Sequence, residues 1–169
     1  MRRFGADERG AAAVETALIT GIFAVAVFNV IEVGRYAYVL MEAQQATQAG
    51  AEAALNTCDA QHVPATTSCA NLTSAVTTAI HGTSLGTKVS LNGAITEGYY
   101  CLNAQNALVW ASDVNSKPAN CSAFGNGAMT PVLYLKVNTS YTYAPIFTGL
   151  TIGQTFPTSV RKTSWMRML

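Results

Sequence analysis

The chain has 169 residues, enough for one ordinary domain and an anchor but not for two full domains. Half of the residues are apolar and only 11% are charged, against roughly 25% in an average soluble protein. The net charge is +1 and no basic stripe runs through the sequence, which argues against nucleic acid as a partner.

Arg2, Arg3 and Arg9 precede a run from Ala11 to Val33 that is apolar except for Glu15, Asn29, Glu32 and the small hydroxyl residues Thr16 and Thr20. A helix of roughly 20 such residues is what a hydrocarbon core about 30 Å thick requires. The arginines before it place the N-terminus in the cytoplasm and everything after about Arg35 outside. The run exceeds the roughly 7–15 residues of a secretory h-region, carries Glu15 in its first turns, and leads straight into further helix. An ordinary signal peptide is therefore the weaker of two readings. Glu15 itself needs a partner, because a carboxylate near the centre of a spanning helix costs on the order of 2.5–3.5 kcal/mol, and less near an end. Water, headgroups or Arg9 would serve in the intact chain, with Glu15 lying shallowly at the interface.

Helical character persists from Tyr36 to about Leu55, where Tyr36, Leu40, Ala43, Thr47, Ala51 and Ala54 recur at 3–4 spacing. The stripe is narrow and mostly small, suited to close approach of a helix or a sheet. One long helix is expected, embedded in the membrane first and soluble later.

Arg9-Gly10-Ala11-Ala12-Ala13-Val14-Glu15, Ala17-Leu18, the apolar run, Glu32-x-Gly34-Arg35 and the Ala-rich helix together resemble the TadE-like family. Those proteins are minor pilins, or pseudopilins, of the tight-adherence (Tad/Flp) type IV pilus system. The resemblance covers residues 9 to 54; Thr16 stands where the family commonly has an aromatic residue and Gly21 where it has a proline. The Gly-then-Glu spacing is also that of type IV pilin-like precursors. The resemblance implies a cytoplasmic leader (1–10), a cut by a prepilin peptidase between Gly10 and Ala11, a transmembrane helix (11–34) and an extracytoplasmic domain (35–169). It further implies a bacterial inner-membrane location, other pilin and pseudopilin subunits and the inner-membrane assembly platform as partners, and a subunit-assembly role for Glu15. Cleavage would leave a new α-amino group at Ala11, with a typical pKa of roughly 7.7–8.0, four residues from Glu15. In a packed bundle the amine of one subunit would meet the Glu15 carboxylate of its neighbour.

Downstream, Thr57–Ser68 reads as loop, with Pro64 inside it, and Ala70–Ile80 as a short helix with Leu72, Val76 and Ile80 on one face, ended by Gly82. From Lys88 the period moves toward two. Val89 and Leu91, then Tyr99 and Cys101, fit short strands around a hairpin turn at Asn92-Gly93. Ala111–Ala128 is polar and irregular. In Pro131–Ala144, Leu133, Leu135, Val137, Tyr141 and Tyr143 alternate with polar or amphipathic residues, the pattern of a half-buried strand. A last strand is expected from Ser159 to about Met168. The fold class is therefore α+β: a long N-terminal helix covered in its soluble half by a small antiparallel sheet, type IV pilin-like.

Cys58, Cys69, Cys101 and Cys121 all follow the apolar run, and none has the two-residue spacing of zinc or redox sites. An even count on the outer side of a membrane favours two disulfides. Three pairings are open; Cys58–Cys69 with Cys101–Cys121 is preferred, because each then staples a polar loop, and four buried thiols are the alternative. No phosphate loop, nucleophile elbow or metal-ligand spacing occurs, the sequence offers no convincing catalytic role for His62 or His81, and Glu97 and Asp113 are too isolated for an acid–base pair. No catalytic residue, metal or cofactor is expected. The competing readings are a cleaved pilus subunit, an uncleaved membrane-anchored binding protein and, last, an extracytoplasmic enzyme.

Overall fold

A computed structural model describes residues 8–58 and 62–168. The first helix, α1, runs Glu8–Thr57, and α2 (Ala65–Ser68) and α3 (Leu72–His81) follow it. Among the described residues five strands follow: β1 (Val89–Leu91), β2 (Thr96–Leu102), β3 (Leu108–Asp113), β4 (Val132–Thr142) and β5 (Ser159–Arg167). The architecture is a long apolar helix followed by a small antiparallel sheet, the expected α+β class. The chain divides into two compact units, one formed by α1 up to Val39 with Tyr143–Thr158, the other by Leu40–Thr142 with the segment from Ser159 onward.

In the second unit, α1 buries Ala43, Ala46, Thr47, Ala51 and Ala54, nearly the small-residue stripe read from the sequence. Small side chains bring the helix backbone close to its neighbours. Thr47 Oγ1 lies 2.5 Å from Thr139 Oγ1 of β4, and a Cβ added at Gly50 would stand 2.9 Å from Ile80 of α3. The inward residues of β4 are Leu133, Leu135, Val137, Thr139 and Tyr141, all buried. Thr139 is the one polar member, and its hydroxyl is matched by that of Thr47, as a buried polar group requires.

The sheet corrects one expectation. Asn92-Gly93 does not turn a hairpin between β1 and β2. Instead β1 pairs with Thr139–Tyr141 and β2 with Val132–Lys136, both antiparallel to β4 and end to end along one of its edges. Residues 92–95 bulge opposite Val137 and Asn138, with Asn92 N–H donating to Asn138 O at 2.9 Å and Gly93 at φ +85°. The eleven-residue β4 offers a longer partner than either short strand offers the other, while β5 takes its opposite edge from Tyr134 to Thr142. The hairpin lies one element later, where β2 pairs with β3 across a turn closed by Asn103 and Asn106.

Two segments read as irregular also carry structure. Thr57–Ser68 contains α2, whose Thr66 N–H donates to Glu97 Oε2 at 2.8 Å, and the polar stretch after Ala111 begins as the end of β3. Disulfides join Cys58 to Cys69 and Cys101 to Cys121.

On the sheet face away from α1, Tyr100 is ringed edge-on by Trp110, Tyr134 and Trp165 at 5.3, 6.0 and 4.8 Å. The Trp110 ring lies flat on Gly98, where any Cβ would overlap its six-membered ring. Gly98→Ala is therefore expected to push the indole off the sheet and destabilise the fold by about 1–3 kcal/mol. Chemical unfolding of the detergent-solubilised protein, with Trp110 fluorescence as a second readout, measures both effects.

Candidate functional site

The site residues named from sequence lie at the start of α1. Gly10 and Ala11 sit in its first turns, exposed, and Glu15 is exposed one turn further on. Positions four apart share a helix face, so Glu15 stands above Ala11. Arg2 and Arg3 fall outside the described residues. From Val14 to Val33 the large apolar side chains other than Phe28 face outward, with Leu18, Ile22 and Phe23 66, 74 and 68% exposed. This helix is long and apolar enough to cross a membrane, and it is the only such helix among the described residues.

The polar residues late in the run have a different setting. Glu32 is fully buried, although its neighbours Ile31 and Val33 are exposed. It is enclosed by Tyr143–Thr158, which folds back onto α1. Tyr143 donates its hydroxyl to Glu32 Oε1 in a short hydrogen bond, and the N–H groups of Ile146 and Phe147 donate to Oε2 at 3.1 and 3.3 Å. Arg35, one turn along, supplies a counter-charge 3.6 Å away, donates to Ala144 O at 2.7 Å and lies over the Tyr143 ring. Asn29 repeats the pattern a turn earlier. Its side-chain NH2 donates to Val25 O at 2.8 Å, and its Oδ1 accepts the Ile152 N–H at 2.9 Å.

Aromatic rings close the arrangement. Phe147 stacks on Phe28 at 4.6 Å, and Tyr36 stacks on Phe156 at 4.5 Å while meeting the Tyr143 edge at 5.0 Å. Gly153 is required at its position, since a Cβ there would lie 2.5 Å from Glu32 Cγ. Burial, and next the hydrogen bond to Glu32, push the Tyr143 hydroxyl up to about 12, so it remains a donor across the physiological range.

Elsewhere the structure brings together two acids that the sequence leaves apart. Glu97 and Asp113 line one cleft of about 560 Å3 with Thr66, Asn115 and Ser116, and no histidine or cysteine lines it. Among the described residues, no three His, Cys, Asp or Glu come together as metal ligands.

A family model described as TadE-like protein matches residues 10–52. The chain is similar to TadE-like proteins. No curated protein and no solved structure matches it at a significant level. The TadE-like stretch begins at Gly10, lies entirely within α1, and includes Glu15, Asn29, Glu32 and Arg35. All five strands lie outside it. In the sequence, Glu32-x-Gly34-Arg35 stands out only as part of the family resemblance, and the residues that enclose Glu32 lie more than a hundred positions away. The available signal was the spacing of Asn29 and Glu32, two acceptors one turn apart in an otherwise apolar run.

Two outcomes are expected. Glu32→Ala leaves the Tyr143 hydroxyl and two N–H groups without their acceptor and Arg35 without its counter-charge, a loss of about 3 kcal/mol. Limited proteolysis in detergent should then cut within Tyr143–Thr158 before other sites. Alkali gives the second test. The Tyr143 pKa is about 12 in the folded chain, and an unfolded tyrosine titrates near 10. Its contribution is therefore complete below about pH 10 and falls by about 1.4 kcal/mol per pH unit from there to about pH 12. Unfolding curves at pH 9 and 11.5 should show a smaller drop for Tyr143→Phe than for the wild type.

Proposed function

We propose that this protein is a minor pilin, or pseudopilin, that takes part in assembly of a Tad/Flp-type pilus for surface adherence after a prepilin peptidase cuts between Gly10 and Ala11. The observation that carries the proposal is the coincidence of the TadE-like match at residues 10–52 with a helix whose first half exposes large apolar side chains. Such a surface is stable in only two settings, lipid or a bundle of like helices.

In this reading residues 1–10 are a cytoplasmic leader, 11–34 the transmembrane helix and 35–169 the extracytoplasmic domain of a bacterial inner-membrane protein. The leader holds the subunit in the bilayer until it is cut. Glycine at position 10 favours cleavage, because it costs a helix about 1 kcal/mol relative to alanine and so eases local opening of the scissile bond. The amine then created at Ala11 pairs with Glu15 of a neighbouring subunit and sets the register between helices. Partners are the prepilin peptidase, other pilins and pseudopilins, and the inner-membrane assembly platform. The two disulfides suit a domain outside the cytoplasm.

A second reading is an uncleaved, single-pass anchor for an extracytoplasmic binding domain. The exposed carboxylate at Glu15 favours the first, since an anchor gains nothing from a charge in its first turns. Mass spectrometry of the membrane-extracted protein decides whether cleavage occurs. A start at Ala11 is expected in cells that contain the peptidase, and an intact leader there refutes the pilin reading. Glu15→Ala is expected to leave membrane insertion intact and abolish co-purification with other pilus subunits.

A further inference from the structure

The segment Tyr143–Thr158 carries no charged residue; the uncharged run extends from Val137 to Val160. Ile146, Leu150 and Ile152 are 55, 58 and 51% exposed on a largely irregular segment with a short 3-10 turn at Ile152–Thr155, a high proportion for an ordinary soluble surface. Its position along α1 is fixed by contacts. Phe147 stacks on Phe28, Ile152 N–H reaches Asn29, and the Ile146 and Phe147 N–H groups reach Glu32. If the span begins at Ala11 and takes about 20 residues, Phe28–Glu32 stand where hydrocarbon gives way to headgroups on the outer side. Arg35 follows one turn later, at the level where a long cationic side chain meets phosphate and water.

We propose that Tyr143–Thr158 is a lipid-contacting wedge, seated in the outer interface of the bilayer with Ile146, Leu150 and Ile152 directed into the acyl chains. The proposal rests on the reading of 11–34 as the span. It explains the polar residues late in that span. Non-helical backbone is tolerated at membrane depth only where its N–H groups find acceptors inside the protein. Asn29 and Glu32 provide acceptors for three of them, Ile146, Phe147 and Ile152, and Thr151 Oγ1 adds one for Gly153 N–H at 3.4 Å. The wedge also places the phenol ring of Tyr143 against that of Tyr36 on α1 at interfacial depth, where rings with a polar edge are favoured, while Phe156 stacks on Tyr36 as an apolar neighbour. Charge fits as well: no charged side chain of the segment has to be dehydrated, and the nearest cations along the sequence, Lys136 and Arg161, lie beyond it.

Photo-crosslinking of the full chain tests this. Benzoylphenylalanine replaces Leu150, Ile22 in mid-span or Asn115 in a water-exposed turn, one at a time, in vesicles of phosphatidylethanolamine and phosphatidylglycerol. Mass spectrometry then quantifies phospholipid adducts. Adducts at 150 and 22 about tenfold above those at 115 are expected, the factor that roughly 1.4 kcal/mol of partitioning corresponds to. Lipid adducts at 22 with none at 150 overturn the wedge and leave the span intact. Adducts at neither position overturn the span and the wedge with it. Capture of a second copy of the chain at 150 in place of lipid assigns the surface to subunit contact and also overturns the proposal.

Discussion

A carboxylate taken out of water demands several hydrogen-bond donors as well as a counter-charge, and at position 32 α1 by itself offers only the counter-charge, from Arg35. The backbone N–H groups of a helix interior are already used, and Arg35 supplies charge from one side only. Tyr143–Thr158 completes the set with a phenol and two backbone N–H groups. The dependence is mutual. Without Glu32 and Asn29 the segment has no acceptors for Ile146, Phe147 and Ile152, and without the segment Glu32 keeps only Arg35 and loses its hydrogen-bond donors. Gly153 shows how tightly the fit is drawn, because the acidic side chain occupies the space a methyl group would need.

The second unit depends on a simpler constraint, the length of β4. An eleven-residue strand with a fully alternating burial pattern has two long edges to satisfy. β5 covers one of them continuously, and the other is shared by β1 and β2 in tandem. The buried face is then closed by α1 and α3 through Thr47, Gly50 and Ile80. Helix and strand each bury only small or β-branched residues at these contacts, which permits close approach without large side chains in between.

What could be read from sequence follows from the range of the interactions. α1, α3, β4 and β5 are visible as local periodicity, and so is the small-residue stripe at Ala43, Thr47, Ala51 and Ala54, since helix and strand repeats are properties of neighbouring residues. The failures are non-local. Asn92-Gly93 has the chemistry of a hairpin turn, yet competition from β4, about 45 residues away, decides its role, and that competition leaves no local mark. The partners of Glu32 lie 111 to 115 residues further along the chain. Only the presence of Asn29 and Glu32 in an apolar run hints at them. Glu97 is similar: an isolated acid in sequence, it anchors α2 from across 31 residues. By contrast Gly10, Ala11 and Glu15 form a compact local motif, and the match at residues 10–52 starts with it.

In the proposed role the helix must be content in lipid and yet leave it for a bundle. Hydrophobicity cannot drive that exchange, because acyl chains are as apolar as a neighbouring helix. The exchange has to come from packing and from polar pairs. Ala13, Ala17, Gly21 and Ala24 recur at 3–4 spacing along one side of α1, the arrangement that lets two helix backbones approach closely. Glu15 then adds a term that lipid does not supply, a counter-charge on another copy, and cleavage after Gly10 creates that counter-charge. Before the cut the carboxylate gains little by moving; after it, the same carboxylate favours the bundle. A single peptide bond thus changes which environment the helix prefers, with no change in its apolar surface.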